Sequence, residues 1–297
     1  MTISVIIPTY NEEKSIGNCL TSLSKQTVPF ELIVVDDGST DKTLSVLSKF
    51  QISNIKYLRQ RRIGLWPKIP NIKKNNVKIL KQEHQGPGAA RNLGAKNAQG
   101  ETLVFVDADM TFAPDFLEKL TLPIEKGKTK GTFTKEEYVA NWDNVWARCW
   151  NYNAGLPNKR RLSTDYPDTA PVFRAILASE FNKVSGFTPG TGWTDDWSLS
   201  RKLGYTSTVT TAVCYHANSE TLQEVFQQAE WIGKNEFLTK NLRLGINLFR
   251  YSPIVSLLTG ITKSVQYRTA CFFIFKIIYD LGITSGLIKS SYGHKNK

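Results

Sequence analysis

Leu103-Val104-Phe105-Val106-Asp107-Ala108-Asp109 places four apolar residues directly before two carboxylates. The apolar run is short and β-rich, so it reads as a buried strand. Side chains two apart on extended backbone project the same way, which sets Asp107 and Asp109 side by side with small Ala108 between them. Such a pair of hard oxygen donors suits Mg2+ or Mn2+, a cation that keeps open positions for phosphate oxygens. An Asp-rich turn after a strand is also a common way out of a sheet. The triplet therefore takes its weight from what surrounds it.

Two further polar clusters follow strand-like runs. Pro8-Thr9-Tyr10-Asn11-Glu12 comes after residues 3–7, and Asp36-Asp37-Gly38-Ser39-Thr40-Asp41 after residues 32–35. Helical patterns lie between them. A helix capped near Asn11 carries Ile16, Leu20 and Leu23, Asp41 opens one with Leu44 and Leu47, and Pro87 starts one through Ala98. Residues 55–58 and 77–80 are further short strands. This alternation predicts a doubly wound α/β sheet, parallel in this half. Such sheets bind ligands beyond the C-terminal ends of their strands, where all three clusters sit.

Composition sets the limits. The chain has 297 residues, 41 % of them apolar and 22 % charged, enough for one large domain or a domain with an appendage, and unlike a disordered chain. Its net charge of +12 attracts polyanions, whether nucleic acid, nucleotide phosphates or an anionic bilayer. Cys19, Cys149, Cys214 and Cys271 are far apart with no CxxC spacing, which suits a reducing compartment and small buried hydrophobes. The opening apolar run is too short for a secretory signal, so the N-terminal part is expected in the cytoplasm.

A basic stretch at residues 59–76 surrounds Trp66 with Arg59, Arg61, Arg62, Lys68, Lys73 and Lys74. It reads first as a solvated loop, and second as a contact for anionic lipid or a phosphorylated acceptor. After about residue 220 the pattern changes. Residues 221–240 read as an amphipathic helix with Leu222, Val225, Phe226 and Ala229 on one face, followed by apolar stretches at 253–261 and 269–288. The last is 20 residues long, enough to cross a bilayer. It holds Lys276 and Asp280, each costing about 2.5–3.5 kcal/mol at mid-membrane. Their i,i+4 spacing lets them pair or face water together. That argues for a helix lying in the interface or docked on its neighbours, or an ordinary core helix, over a span.

With these motifs in order, the sequence resembles the inverting glycosyltransferases of family 2. Ser4 to Glu12 looks like their opening strand and nucleotide loop, and Val34 to Asp41 like their second motif. Gly86-Pro87-Gly88-Ala89-Ala90-Arg91-Asn92 matches their Ala-Arg-Asn element, and Val104 to Asp109 their metal motif. Phe181 to Phe187 and Asp195-Asp196-Trp197-Ser198-Leu199 resemble the later element and its acidic pair, with Asp for the usual first Glu and Ser198 where an acid is usual. The resemblance implies the GT-A fold, a Rossmann-like mixed sheet with helices on both faces, over residues 1–220. Residues 221–297 would then form a helical, membrane-associated appendage.

The same resemblance implies roles. Pro8, Thr9, Tyr10, Glu12, Asp37, Arg91 and Asp107 would bind a nucleotide-sugar donor, with Asp37 on the base. Asp107 and Asp109 would hold Mg2+ or Mn2+. His216 would join them, although a lone His is ordinarily a structural residue. Asp196 would be the general base, or Asp195 if the register slips by one. The chemistry needs these groups together. Charge developing on the leaving diphosphate must be neutralised, and a poor hydroxyl nucleophile must lose its proton as it attacks.

UDP is the commonest donor nucleotide in the family, with GDP and dTDP open. The acceptor would be a lipid-linked or envelope glycan, or polyprenyl phosphate, at the cytoplasmic face of the membrane. Trp142, Trp146 and Trp150 recur at helical spacing and read as core, or as a wall for an acceptor. His84 and His294 read as solvent-side.

A nucleic-acid-binding protein would leave the strand-end carboxylates unexplained, since they repel phosphate. A nucleotidyltransferase should carry a Gly-rich basic loop after its first strand, and Pro8 to Glu12 is not one. Nothing in the sequence sets the oligomeric state.

Overall fold

The computed structural model describes residues 1–50, 72–190, 195–235, 246 and 248–291. The strand expected at 55–58, most of the basic stretch at 59–76, and His294 lie outside the described residues. The chain divides into two compact units, one of Met1–Glu137 with Thr164–Tyr215, the other of Tyr138–Ser163 with His216–Lys297.

The first unit is built on a mixed sheet. In chain order its strands are Ile3–Thr9 (β1), Phe30–Asp36 (β2), Ile72–Lys81 (β3), Thr102–Phe105 (β4), Gly131–Thr134 (β6), Thr169–Ala170 (β8), Ala175–Leu177 (β9) and Ser207–Thr210 (β10). The order across the sheet is β3-β2-β1-β4-β9-β6-β10-β8. Short strands at Met110–Phe112 (β5), Glu137–Val139 (β7) and Cys214–His216 (β11) stand outside it. β1 runs parallel to β2 and β4, with Ile6 opposite Ile33 on one side and Phe105 on the other. β9 is antiparallel to β4 and β6.

Period-two alternation decides where each side chain goes. Val5, Ile7, Leu32 and Val34 enter one apolar cluster, together with Ile16 and Leu20 of helix Ile16–Leu23 (α1) and Phe116 and Leu120 of helix Phe116–Glu125 (α4). Ile6, Ile33, Val35 and Leu103 enter another, with Ala90 and Ala95 of helix Pro87–Lys96 (α3) and Leu199 of helix Asp195–Leu203 (α7). Both faces are covered, which is why β1 and β2 read as unbroken apolar runs. Each fully buried Ile or Leu contributes about 1.5–3 kcal/mol.

Element boundaries differ from expectation at two places. α1 begins at Ile16 with Ser15 as its N-cap. Asn11 does not cap it, because Asn11 takes a left-handed conformation at φ 56° and its side-chain oxygen accepts the Thr40 N–H at 2.8 Å. Asn11 thereby ties the first strand-end loop to the second. Asp41 instead caps the helical residues 43–50 (α2), accepting the Thr43 N–H at 2.9 Å. β3 begins at Ile72, five residues ahead of the expected strand, through a register shift between Phe30 and Leu32. A short helix at Ala178–Lys183 (α6) follows β9.

The second unit is helical, with Val145–Asn153 (α5), Leu222–Asn235 (α8), helical residues 246 and 248–250 (α9), Pro253–Gln266 (α10) and Cys271–Ser291 (α11). Asn144 caps α5 by accepting the Trp146 N–H at 2.8 Å. Trp142 therefore precedes the helix, and the three-tryptophan stripe is a pair. Trp150 packs edge-on against Phe275 and Tyr279, with centroids at 6.1 and 5.4 Å, inside the unit's own core.

α8 and α11 meet backbone to backbone. A Cβ on Gly282 would lie 2.6 Å from the Phe226 carbonyl oxygen, and one on Gly286 2.2 Å from that of Glu230. α11 is long and apolar enough to cross a membrane by length and composition, yet Phe272, Phe275, Ile283 and Leu287 are buried against the protein. Lys276 and Asp280 pair at 2.7 Å and face inward, where the Ser256 hydroxyl donates to the second Asp280 oxygen at 2.6 Å.

Candidate active site

Asp107, just beyond β4, is held between two arginines. Its Oδ1 accepts from Arg91 Nη2 at 2.8 Å and its Oδ2 from Arg174 Nη1 at 2.9 Å. Arg91 projects from α3 and is buried, and its Nη1 reaches Asp196 Oδ1 at 2.5 Å. The same guanidinium lies over the Phe187 ring, 5.6 Å from its centroid. Burial alone would weaken the charge of both arginines. Asp196 and Asp107 outweigh it at Arg91, and Asp107 and Glu137 outweigh it at Arg174, so both are held above the usual arginine value. Arg174 was not singled out from the sequence. It precedes the three-residue β9, and no motif or spacing there marks it.

Asp109 is half-buried on the same strand end as Asp107. The Cys19 thiol, fully buried on α1, senses both. Burial pushes its pKa well up, and the carboxylates of Asp109, Asp107 and Glu12 push it further. Three acids thus concentrate negative charge where β1 and β4 end. Among the described residues, no group of three or more His, Cys, Asp and Glu side chains is placed to hold a metal ion by itself.

The acidic pair opens α7, and its two members have different surroundings. Asp195 is buried, and its Oδ2 accepts the Gly88 N–H at 3.2 Å. A Cβ on Gly88 would lie 2.4 Å from that oxygen, so only glycine allows the approach. Asp196 keeps its side chain 30 % exposed. Its pKa is raised by burial against the pull of Arg91, with Asp107 and Asp195 adding to the rise. α3 thus fixes both acids, Asp195 through its first turn and Asp196 through Arg91 one turn later.

The residues expected on the nucleotide side form a second group. Pro8 and Thr9 end β1, opposite Val35 and Asp36. The exposed Tyr10 ring stacks on His84, with centroids 4.1 Å apart. Asp37 is buried, and its Oδ1 accepts from Gln85 N–H at 2.9 Å and Gln82 Nε2 at 2.6 Å. Its Oδ2 takes the Gly86 N–H at 2.8 Å and lies 2.9 Å from His84 Nδ1. Asp37 therefore latches the loop that leads into α3. His84 is open to solvent on one side, as its sequence suggested, but it also braces this latch. Glu12 Oε2 accepts the Ser15 hydroxyl. His216 belongs to the second unit, where its carbonyl accepts the Ala140 N–H at 3.0 Å.

The pattern that defines Glycosyl transferase family 2 matches residues 4–65 and 67–184. The chain is 39 % identical over 127 residues to the poly(ribitol-phosphate) beta-N-acetylglucosaminyltransferase TarS of Staphylococcus aureus, an alignment covering 41 % of this chain and 18 % of TarS. It is 31 % identical over 216 residues to the glycosyltransferase GlyG of Streptococcus pneumoniae, covering 67 % of this chain and 64 % of GlyG. The matched part thus spans less than two thirds of either relative. Among solved structures, residues 1–349 of S. aureus TarS with UDP-GlcNAc superpose with a TM-score of 0.54 at 20 % identity, over 99 % of this chain and 92 % of that one. The mannosyltransferase PcManGT of Pyrobaculum calidifontis with GDP-Man and Mn2+ gives 0.59 at 18 % identity, over 98 % and 87 %. The fold is GT-A, and the chain belongs to glycosyl transferase family 2.

Proposed function

We propose that the chain is an inverting glycosyltransferase that moves a sugar from a UDP-sugar to a hydroxyl of a lipid-linked or cell-envelope glycan. The observation that supports it is Arg91, which ties the donor-side Asp107 to Asp196 across the end of the sheet. Asp196 is the general base. It is the accessible member of the acidic pair, and its raised pKa brings a carboxylate nearer the strength a base needs. It takes the acceptor proton as the acceptor oxygen bonds to the anomeric carbon and the bond to the diphosphate breaks. One displacement inverts that carbon. Asp195, latched to Gly88, positions the turn that carries the base.

Asp109 and Asp107 would hold Mg2+ or Mn2+. Two hard carboxylates without a full cage fit a cation that shares its remaining positions with phosphate oxygens. Bound there, such a cation would supply positive charge toward the leaving diphosphate. Pro8, Thr9, Tyr10 and Glu12 line the nucleotide side, and the Asp37 latch orders the loop opposite them. Residues 1–220 would be the catalytic domain and 221–297 an appendage working at the cytoplasmic face of a membrane. TarS, with its poly(ribitol-phosphate) acceptor, makes an anionic envelope polymer a fitting acceptor class for this basic chain.

Calorimetry with UDP, GDP and dTDP, with and without Mn2+, tests the reading on wild type and Asp109→Ala. Metal-dependent binding of one nucleotide that the substitution abolishes is expected. Absence of nucleotide binding under every metal condition would overturn it.

A further inference from the structure

α10 has its polar side inward. Ile254, Leu257, Leu258, Ile261 and Val265 are between 43 % and 74 % exposed. At about 100° per residue, these five occupy one arc of roughly 100° on the helix. The opposite side anchors the helix through polar groups. Ser256 donates to Asp280, and Lys263 Nζ donates to the carbonyls of Tyr152 and Asn153 at 2.9 and 3.1 Å. Phe249 and Ile246, just ahead in α9, are also exposed, at 74 % and 60 %. A soluble helix turns its apolar stripe to the core, and this one turns it out.

The charge of this stretch of sequence is one-sided. Residues 237–297 contain nine Lys and Arg and a single acid, Asp280, which is buried and paired with Lys276. An apolar arc in a segment with cations and no exposed acid matches an anionic lipid surface. At about 1.5 Å per residue, the 14 residues of α10 extend roughly 21 Å, short of the ~30 Å hydrocarbon core. On a bilayer, a helix of this length would lie in the plane of the interface.

We infer that the Ile254–Leu258–Val265 face of α10, with Phe249, is the surface by which this chain docks on an anionic phospholipid bilayer. This rests on the proposal that the enzyme works at a membrane and names the face that does so. The contact is α10 rather than the more hydrophobic α11, which spends Phe272, Phe275, Ile283, Leu287 and its charged pair on packing against the protein.

The test is flotation of the full chain with phosphatidylcholine vesicles, with and without a quarter of phosphatidylglycerol. Wild type should bind the mixed vesicles at least tenfold better than neutral ones and lose binding as salt rises. Leu258→Asp should lower binding at least tenfold, while Leu122→Asp, an exposed leucine on α4, should not. Unchanged binding by Leu258→Asp, or wild type that never floats, overturns the inference. So does light scattering that shows a wild-type dimer and a Leu258→Asp monomer with neither binding vesicles, since a second copy then covers the face. UDP calorimetry on the same samples separates these failures from failure of the donor site.

Discussion

Arg91 and Asp196 approach to 2.5 Å, although they lie 105 positions apart in the chain. The same guanidinium holds Asp107 at 2.8 Å, so one buried cation sets the distance between the strand-end acid and the acid on α7. The organisation of the site follows from that bridge.

Replacing Arg91 should therefore disable two places at once. Arg91→Met removes the guanidinium that pairs with both Asp107 and Asp196, a loss of about 3–5 kcal/mol for a broken buried pair. Arg91→Lys keeps the charge but lacks the fork that spans two carboxylates. It should fold and lose about 10²-fold in kcat, as expected for a misplaced base. Thermal melts and steady-state kinetics of the two variants read the two effects separately.

Gly88→Ala probes Asp195. The added methyl meets the Asp195 carboxylate at 2.4 Å and forces α7 to shift. A stability loss of about 1–3 kcal/mol is expected from overpacking. UDP affinity should stay within a few-fold while kcat falls by about 10²-fold. Equal losses in UDP affinity and kcat would show that the glycine serves the donor side instead.

The raised pKa of Asp196 has a definite sign in two measurements. As the proposed base, Asp196 must be ionised, so the acidic limb of kcat/KM should sit above the ordinary carboxylate value of about 3.9. For stability, the folded chain binds this proton more tightly than the unfolded chain. The contribution is complete below pH of about 3.9 and is lost as pH rises through the higher folded value. Asp196→Asn should remove activity by about 10²-fold or more and flatten that part of the stability profile.

Glu230 has the opposite sign. Burial raises its pKa, but Lys289, Ser285 and Lys234 outweigh that and bring it to about 2. Its contribution, about 2 kcal/mol after allowing for the exposed Lys289, is present above the unfolded value of about 4.3 and lost as pH falls toward 2. Glu230→Gln should lower the melting temperature at pH 7 and leave little difference near pH 2. Calorimetric melts at the two pH values check this.

The first unit was largely legible because its determinants are local. The unbroken apolar runs of Ile3–Thr9 and Phe30–Asp36 predict strands buried on both faces, and the acids after them mark the C-terminal strand ends, the side on which open α/β sheets bind ligands. Asp107 and Asp109 follow β4 as expected, but β4 ends at Phe105 and a turn closed by the Met110 N–H on the Asp107 carbonyl carries them, not extended backbone. Asn11 was misread as a helix cap because its partner, Thr40, belongs to the next strand-end loop.

Tertiary structure decided what depends on contacts between distant positions. Arg174 enters the site by meeting Asp107 from 67 positions away, and His84 braces Asp37 from 47, neither of which leaves a local pattern. The roles within Asp195-Asp196 separated when Gly88 claimed one carboxylate and Arg91 the other. In the tail, hydropathy ranked the stretch at 269–288 as the membrane candidate. Packing reversed that order, burying one side of α11 against α8 and turning the apolar arc of α10 outward. By itself the sequence determined the periodic elements and the chemical groups at their ends. Which groups became paired, and which apolar faces stayed uncovered, was set by burial, a property of the whole fold.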